Sequence, residues 1–164
     1  MSNYQLAELN VAELKAPLDS PELKDFVGNL DRINALAEGS PGFVWRLVGD
    51  GNDATSLRPL GENVIVNLSV WQDTDSLRRY VYQTAHVEIM KRRREWFTRM
   101  STGYMALWWV AKGHVPTLAE AVARLEHLRA HGPTPEAFTF GEAFSAPDGV
   151  CGADPFSFKD ICPA

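Results

Sequence analysis

Hydrophobic and polar positions alternate along "YQLAELNV" (residues 4–11) and "NVIVNLSVW" (63–71), the two-residue period of strands. In the second stretch Val64, Val66, Leu68 and Val70 share one face, and Asn63, Ile65, Asn67, Ser69 and Trp71 the other. "FVWRLV" (43–48) reads as a further strand, and "YMALWWV" (104–110) as one that is apolar on both faces. Between them the period lengthens to that of helices. Ser20 and Pro21 open a helix that Gly39 closes, with Leu23, Phe26, Val27, Leu30, Ile33 and Ala37 as its inward stripe. Helices follow across 74–98, broken near Gln83–Thr84. Thr117 and Glu120 form a capping box for a last helix, with Leu118, Val122, Leu125 and Leu128 inward and Gly132-Pro133 as its stop. The polar stretch 49–62 is too long for a tight hairpin and makes a candidate flap, and "AFTF" (137–140) a short added strand.

The order β-α-β-β-α-β predicts an α+β, ferredoxin-like domain over residues 1–140, with an added C-terminal helix, and an arm over 141–164 rich in Gly, Pro, Ser and Asp. A strand apolar on both faces needs cover on both. Helices are expected on one face only, so the bare face predicts a homodimer.

One helical stretch, "YVYQTAHVEIMKRRREWF" (80–97), carries polar groups on its apolar side. Measured from His86, Met90 and Phe97 fall within about 40° and Arg93 within about 20°. Glu88, Lys91, Arg92 and Glu95 collect on the far side. A histidine and an arginine on a face meant for burial point to a site. Either can also be a satisfied core residue, His86 on a backbone carbonyl and Arg93 on an acid such as Glu8.

Composition narrows the partners. The 164 residues are 45% hydrophobic and 23% charged, with a net charge of −5, which fits one domain with a core of its own. An acidic chain whose basic run, Lys91–Arg94, splits around a helix lacks the field that nucleic acid or an anionic membrane selects. No secretory leader or membrane-length apolar run is visible, and the expected location is cytoplasmic. Cys151 and Cys162 show no metal-site spacing; free thiols, a late disulfide and an intersubunit bridge all stay open. Phosphate loops, GxSxG, HExxH and paired histidines at metal spacing are absent. Five tryptophans supply the aromatic walls that flat ligands select.

"SPGFVWRL", "LSVWQDTDSLRRYVY", "AHVEIMKRRREWF", "LWWV" and "GPTPEAFTF" together resemble the bacterial family known as domain of unknown function 3291, over about Tyr4 to Phe140. That family resembles a branch of the dimeric α+β barrel superfamily, which includes the antibiotic-biosynthesis monooxygenases, the haem-degrading monooxygenases and the chlorite-dismutase group. The resemblance implies two ferredoxin-like protomers packed sheet to sheet, each with a pocket between its own sheet and helices. "SVW" and "TAH" stand where small monooxygenases have a strand-ending tryptophan and a helix histidine, with Ala85 in place of the usual proline.

The function so implied is cofactor-independent monooxygenation of a hydrophobic aromatic or polyketide-like molecule. His86 would take or position a proton, Arg93 and Asn67 would steady oxyanion charge, and Trp71, Trp45, Trp108, Phe97 and Met90 would hold the substrate. The same resemblance also allows a haem protein with His86 as axial ligand. The residues themselves equally allow a cyclase or isomerase, or a non-catalytic ligand-binding dimer.

Overall fold

Strand β1 (Tyr4–Leu14) is the centre of an antiparallel sheet. The computed structural model describes residues 2–149. On one side β1 pairs with β3 (Val64–Trp71), which carries β2 (Phe43–Arg46) at the sheet's edge. On the other side it pairs with β5 (Met105–Ala111) and, near its end, with the two-residue β4 (Phe97–Thr98). Helix α1 (Lys24–Glu38) links β1 to β2. Helices α2 (Thr74–Gln83), α3 (His86–Lys91) and α4 (Arg93–Trp96) link β3 to β4. The fold is ferredoxin-like, as the patterning predicts.

Alternation in β1 sorts its side chains. Ala7, Leu9 and Val11 join Val66, Leu68, Val70, Ala106, Trp108 and Val110 on one face. Leu6, Glu8, Asn10 and Ala12 point the other way, toward α1–α4. Pairing sets Leu6 against Trp71, Glu8 against Ser69 and Asn10 against Asn67.

The first face was expected to be bare. Instead α5 (Leu118–His131) lies on it, with Ala121, Leu125 and Leu128 buried in its core. Leu47, Leu57 and Leu60 from the chain around the expected flap pack on the same face. The helices between strands lie on the other face, and the helix that follows the last strand takes this one. A fully buried leucine contributes about 1.5–3 kcal/mol, so α5 is part of the core rather than an appendage. Ala121, not Val122, completes its inner stripe; Val122 is only partly buried.

Other elements shift in detail. Pro21–Leu23 form a 3-10 turn before α1, and the Ser20 hydroxyl donates to the Pro17 carbonyl (2.5 Å) rather than capping a helix. Val27 is 39% exposed and leaves the expected stripe. The break after α2 falls at Thr84, whose backbone is extended. Its hydroxyl donates to the Tyr80 carbonyl (2.5 Å) and accepts from the His86 amide (3.2 Å), so one side chain serves both helix ends. Of "AFTF", Phe138 exchanges both backbone bonds with Leu107, a single bridge on β5's outer edge. The first residues of the expected arm are tied down: the Phe144 carbonyl accepts from Trp109 Nε1 (2.8 Å), and Asp148 accepts from the Asn3 amide (2.7 Å). The rest of the arm, with Cys151 and Cys162, lies outside the described residues. Among the described residues no helix is long and apolar enough to cross a membrane.

Leu125→Ala is expected to cost about 2–5 kcal/mol, read as the urea midpoint. A loss under about 1 kcal/mol would show that α5 does not seal this face.

Candidate active site

A cavity of about 170 Å³ lies between the sheet and helices α1–α4. Its floor is the second face of the sheet, where Glu8 and Asn10 of β1 meet Ser69 and Asn67 of β3. Aromatic and aliphatic groups enclose that polar strip. Trp71 stacks on Tyr80 (centroids 5.0 Å, planes 25° apart), Phe43 meets Trp71 edge-on, and Phe97 meets Phe26 edge-on.

His86 lines the cavity from α3, its ring 4.8 Å from that of Tyr80. Its Nδ1 lies 3.4 Å from the Val81 carbonyl. A carbonyl only accepts, so the proton sits on Nδ1 and Nε2 is left as an acceptor. Burial pushes His86 below the ordinary imidazole range, against the Val81 bond, which favours the charged ring. The net shift favours the neutral ring.

Met90, Arg93, Asn67, Trp71 and Phe97 also line the cavity. Arg92, between α3 and α4, keeps helical dihedrals (φ −89°, ψ 0°), so the helical wheel still places Arg93 under His86. Phe97 arrives from strand β4 instead. Arg93 forms no ion pair among the described residues; its guanidinium stands 4.5 Å over the Tyr104 ring. Asn67 stays exposed and marks the mouth.

Trp45 and Trp108 do not belong to the site. Trp45 packs with the cluster under α5, and Trp108 is buried there with its Nε1 donating to Glu120 (3.0 Å). Their strands turn both indoles toward the α5 cluster and away from the cavity.

Glu8 was the larger omission. It is 4% exposed and faces the cavity without a cation partner among the described residues. Asn10 Nδ2 donates to its Oε1 (2.6 Å) and Ser69 Oγ to its Oε2 (2.8 Å), while Trp71 Nε1 donates to Ser69 Oγ (2.9 Å). Burial pushes the carboxyl up, against those two bonds. Burial, and then the Glu8 charge, raise the Tyr80 phenol as well. The alternation that places Asn67 and Ser69 on the mixed face also places Glu8 and Asn10 together; only the cross-strand register was missing.

The segment expected to be a flap is latched. Arg46, its side chain 9% exposed, donates from Nε to Glu38 (2.8 Å), and from Nη1 and Nη2 to the Asn52 backbone and side-chain oxygens (2.8 and 3.0 Å). Asn52 donates in turn to Asp31 of α1 (2.9 Å), and Asp53, Ala54 and Thr55 wall one side of the cavity.

The sequence matches the family described as Domain of unknown function (DUF3291) over residues 5–152. The chain belongs to that family. The DUF3291 match passes Phe140 and takes in the start of the expected arm. Among solved structures, SnoaB from Streptomyces nogalater, a cofactor-independent oxygenase, is 20% identical, with 71% of this chain and 100% of that one covered at a TM-score of 0.47. A dabb family protein with a ferredoxin-like fold from Mesorhizobium loti is 16% identical (69% and 98% covered, TM-score 0.40). Rv0793 from Mycobacterium tuberculosis is 11% identical (69% and 99% covered, TM-score 0.46). These likenesses concern the fold. No curated protein matches this DUF3291 chain.

A cavity of about 150 Å³ holds one benzene-sized ring, and a porphyrin has four pyrrole rings. The enclosed part of this DUF3291 chain's cavity is thus smaller than a porphyrin. No group of three or more metal-ligating side chains occurs among the described residues.

Two measurements test this geometry. Glu8 holds its proton more tightly in the fold than in the unfolded chain. Its contribution to stability is therefore whole below the ordinary value of 4.5 and is lost as pH rises through the folded value. Glu8→Gln is expected to gain stability relative to wild type as pH rises above the ordinary carboxyl value of 4.5; a difference that stays flat would mean an ordinary carboxyl. Arg46→Ala is expected to speed proteolytic cleavage within 49–62 several-fold, and equal rates would show that the latch holds nothing.

Proposed function

We propose that the protein is a small-molecule enzyme that draws a proton from a compact, enolisable or phenolic single-ring substrate. The observation that carries this reading is an imidazole, buried so that its neutral form is favoured, that lines an aromatic-walled cavity of about 170 Å³. The Nε2 of His86 takes the proton, and burial keeps it free to do so down to pH values below the ordinary imidazole range. Arg93 and Asn67 line the same cavity and are placed to receive negative charge on the substrate oxygen. Trp71 and Tyr80 give the ring a stacking surface.

Of the reactions open to such an anion, cofactor-independent oxygenation is the one the family resemblance implies. The deprotonated substrate itself reduces dioxygen. A ring CH₂ becomes C=O with one oxygen atom, and the second oxygen leaves as water with both hydrogens. The cavity volume favours single-ring substrates over the larger polyketide-like ones.

An oxygen electrode, with a panel of single-ring phenols and cyclic 1,3-diketones, tests the reading. Wild type should consume oxygen in step with product, and His86→Ala should lose about 10²–10⁴-fold in kcat/KM. Ligand quenching of Trp71, the cavity's one tryptophan, should persist in that variant. If His86→Ala turns substrate over at the wild-type rate, His86 is a core residue and the reading fails.

A further inference from the structure

His86 is one of two titratable groups that the cavity sets against each other. Glu8 rises from the sheet floor and His86 comes down from α3 in the opposite layer, and both line the same single-ring space. The hydrogen bonds around Glu8 have a fixed direction. An indole N–H only donates, so Ser69 accepts from Trp71 and must turn its own proton to Glu8 Oε2. Asn10 holds Oε1. Each carboxyl oxygen keeps a second lone-pair position, and Glu8 is one of the residues that line the cavity.

We propose that Glu8 is a second catalytic residue of this site: its carboxylic acid donates a proton to a substrate carbonyl oxygen while His86 removes one from the adjacent carbon. The inference rests on the cavity being the reaction site, and it narrows the substrate class to cyclic ketones that can enolise. In the step itself His86 Nε2 takes the α-hydrogen, and the C–H electron pair becomes the C=C bond. The carbonyl π pair takes the Glu8 proton. The products are the enol, a carboxylate and an imidazolium; one proton passing from imidazolium to carboxylate resets the site. Nothing is oxidised, so this step precedes and does not require dioxygen.

The environment supports the division of labour. Burial favours the neutral form of each group, the acid for Glu8 and the base for His86, so one low-dielectric space keeps a proton donor and a proton acceptor in the same site. A fully buried carboxylate without a cation is strongly disfavoured by lost hydration, which is what retains the proton. The other titratable or charged groups lining the cavity are Arg46, Asp53, Tyr80, Arg93 and Tyr104. Arg46 is engaged by Glu38, and Arg93 stands over Tyr104.

The test uses cyclohexanone in D₂O, followed by ¹H NMR as loss of the α-hydrogens, under nitrogen. Wild type should accelerate exchange over buffer, and Glu8→Gln should lose about 10²-fold or more of that acceleration, in kcat rather than KM. The infrared difference between wild type and Glu8→Gln at neutral pH should contain a protonated-carboxyl C=O band. Ser69→Ala removes a bond that favours the carboxylate, so it should move the alkaline limb of the exchange profile to higher pH; this variant also serves if Glu8→Gln folds poorly. Exchange in Glu8→Gln at the wild-type rate, no acceleration by wild type, an alkaline limb unmoved by Ser69→Ala, or no carboxyl band would each overturn the proposal. Glu8-dependent exchange with no oxygen uptake on any enol would leave it standing and remove only the oxygenation reading.

Discussion

The alternation of side chains along β1 is the constraint on which the rest depends. The strand has neighbours on both sides and is buried on both faces, so each residue is committed to one of two environments. Odd positions enter the apolar layer under α5, and even positions build the cavity floor. A slip of one residue would send Glu8 and Asn10 into the apolar layer and put Leu9 and Val11 in the floor. Fold and site are therefore specified by the same register, and neither can drift without the other.

The site combines two requirements that usually compete. An aromatic enclosure removes water, while a polar strip needs hydrogen bonds to remain buried. Here the strip satisfies itself across strands. Trp71 serves both sides, its ring forming wall and its N–H feeding the chain that ends on Glu8. His86 and Arg93 line the same space from the helical layer, outside that self-paired strip, and those are the groups left for a ligand.

Much of this was legible in the chain. The strands, the helix break near Thr84 and the polar pair on the helical face all follow from period and punctuation, because those signals are local. The residues that misled needed information from elsewhere in the fold. Trp45 and Trp108 are aromatic in the right strands, but only the orientation of each strand shows that they face α5. Glu8 hides in an ordinary alternating stretch and gains its meaning opposite Ser69, sixty-one residues away. The cover that α5 gives the first face is not legible in the chain, because a helix following the last strand obeys no pairing rule that a sequence displays.

That late helix also sets an order of events during synthesis. All strands of the sheet precede α5 in the chain, so a growing polypeptide can complete its hydrogen-bonded ladders while Leu9, Leu68 and Trp108 still lack their cover. Until residues 118–131 emerge, the nascent chain presents a broad greasy surface of the kind that chaperones shield and that aggregates in their absence. A premature stop codon before Leu118 would thus yield a sticky fragment rather than a smaller working domain.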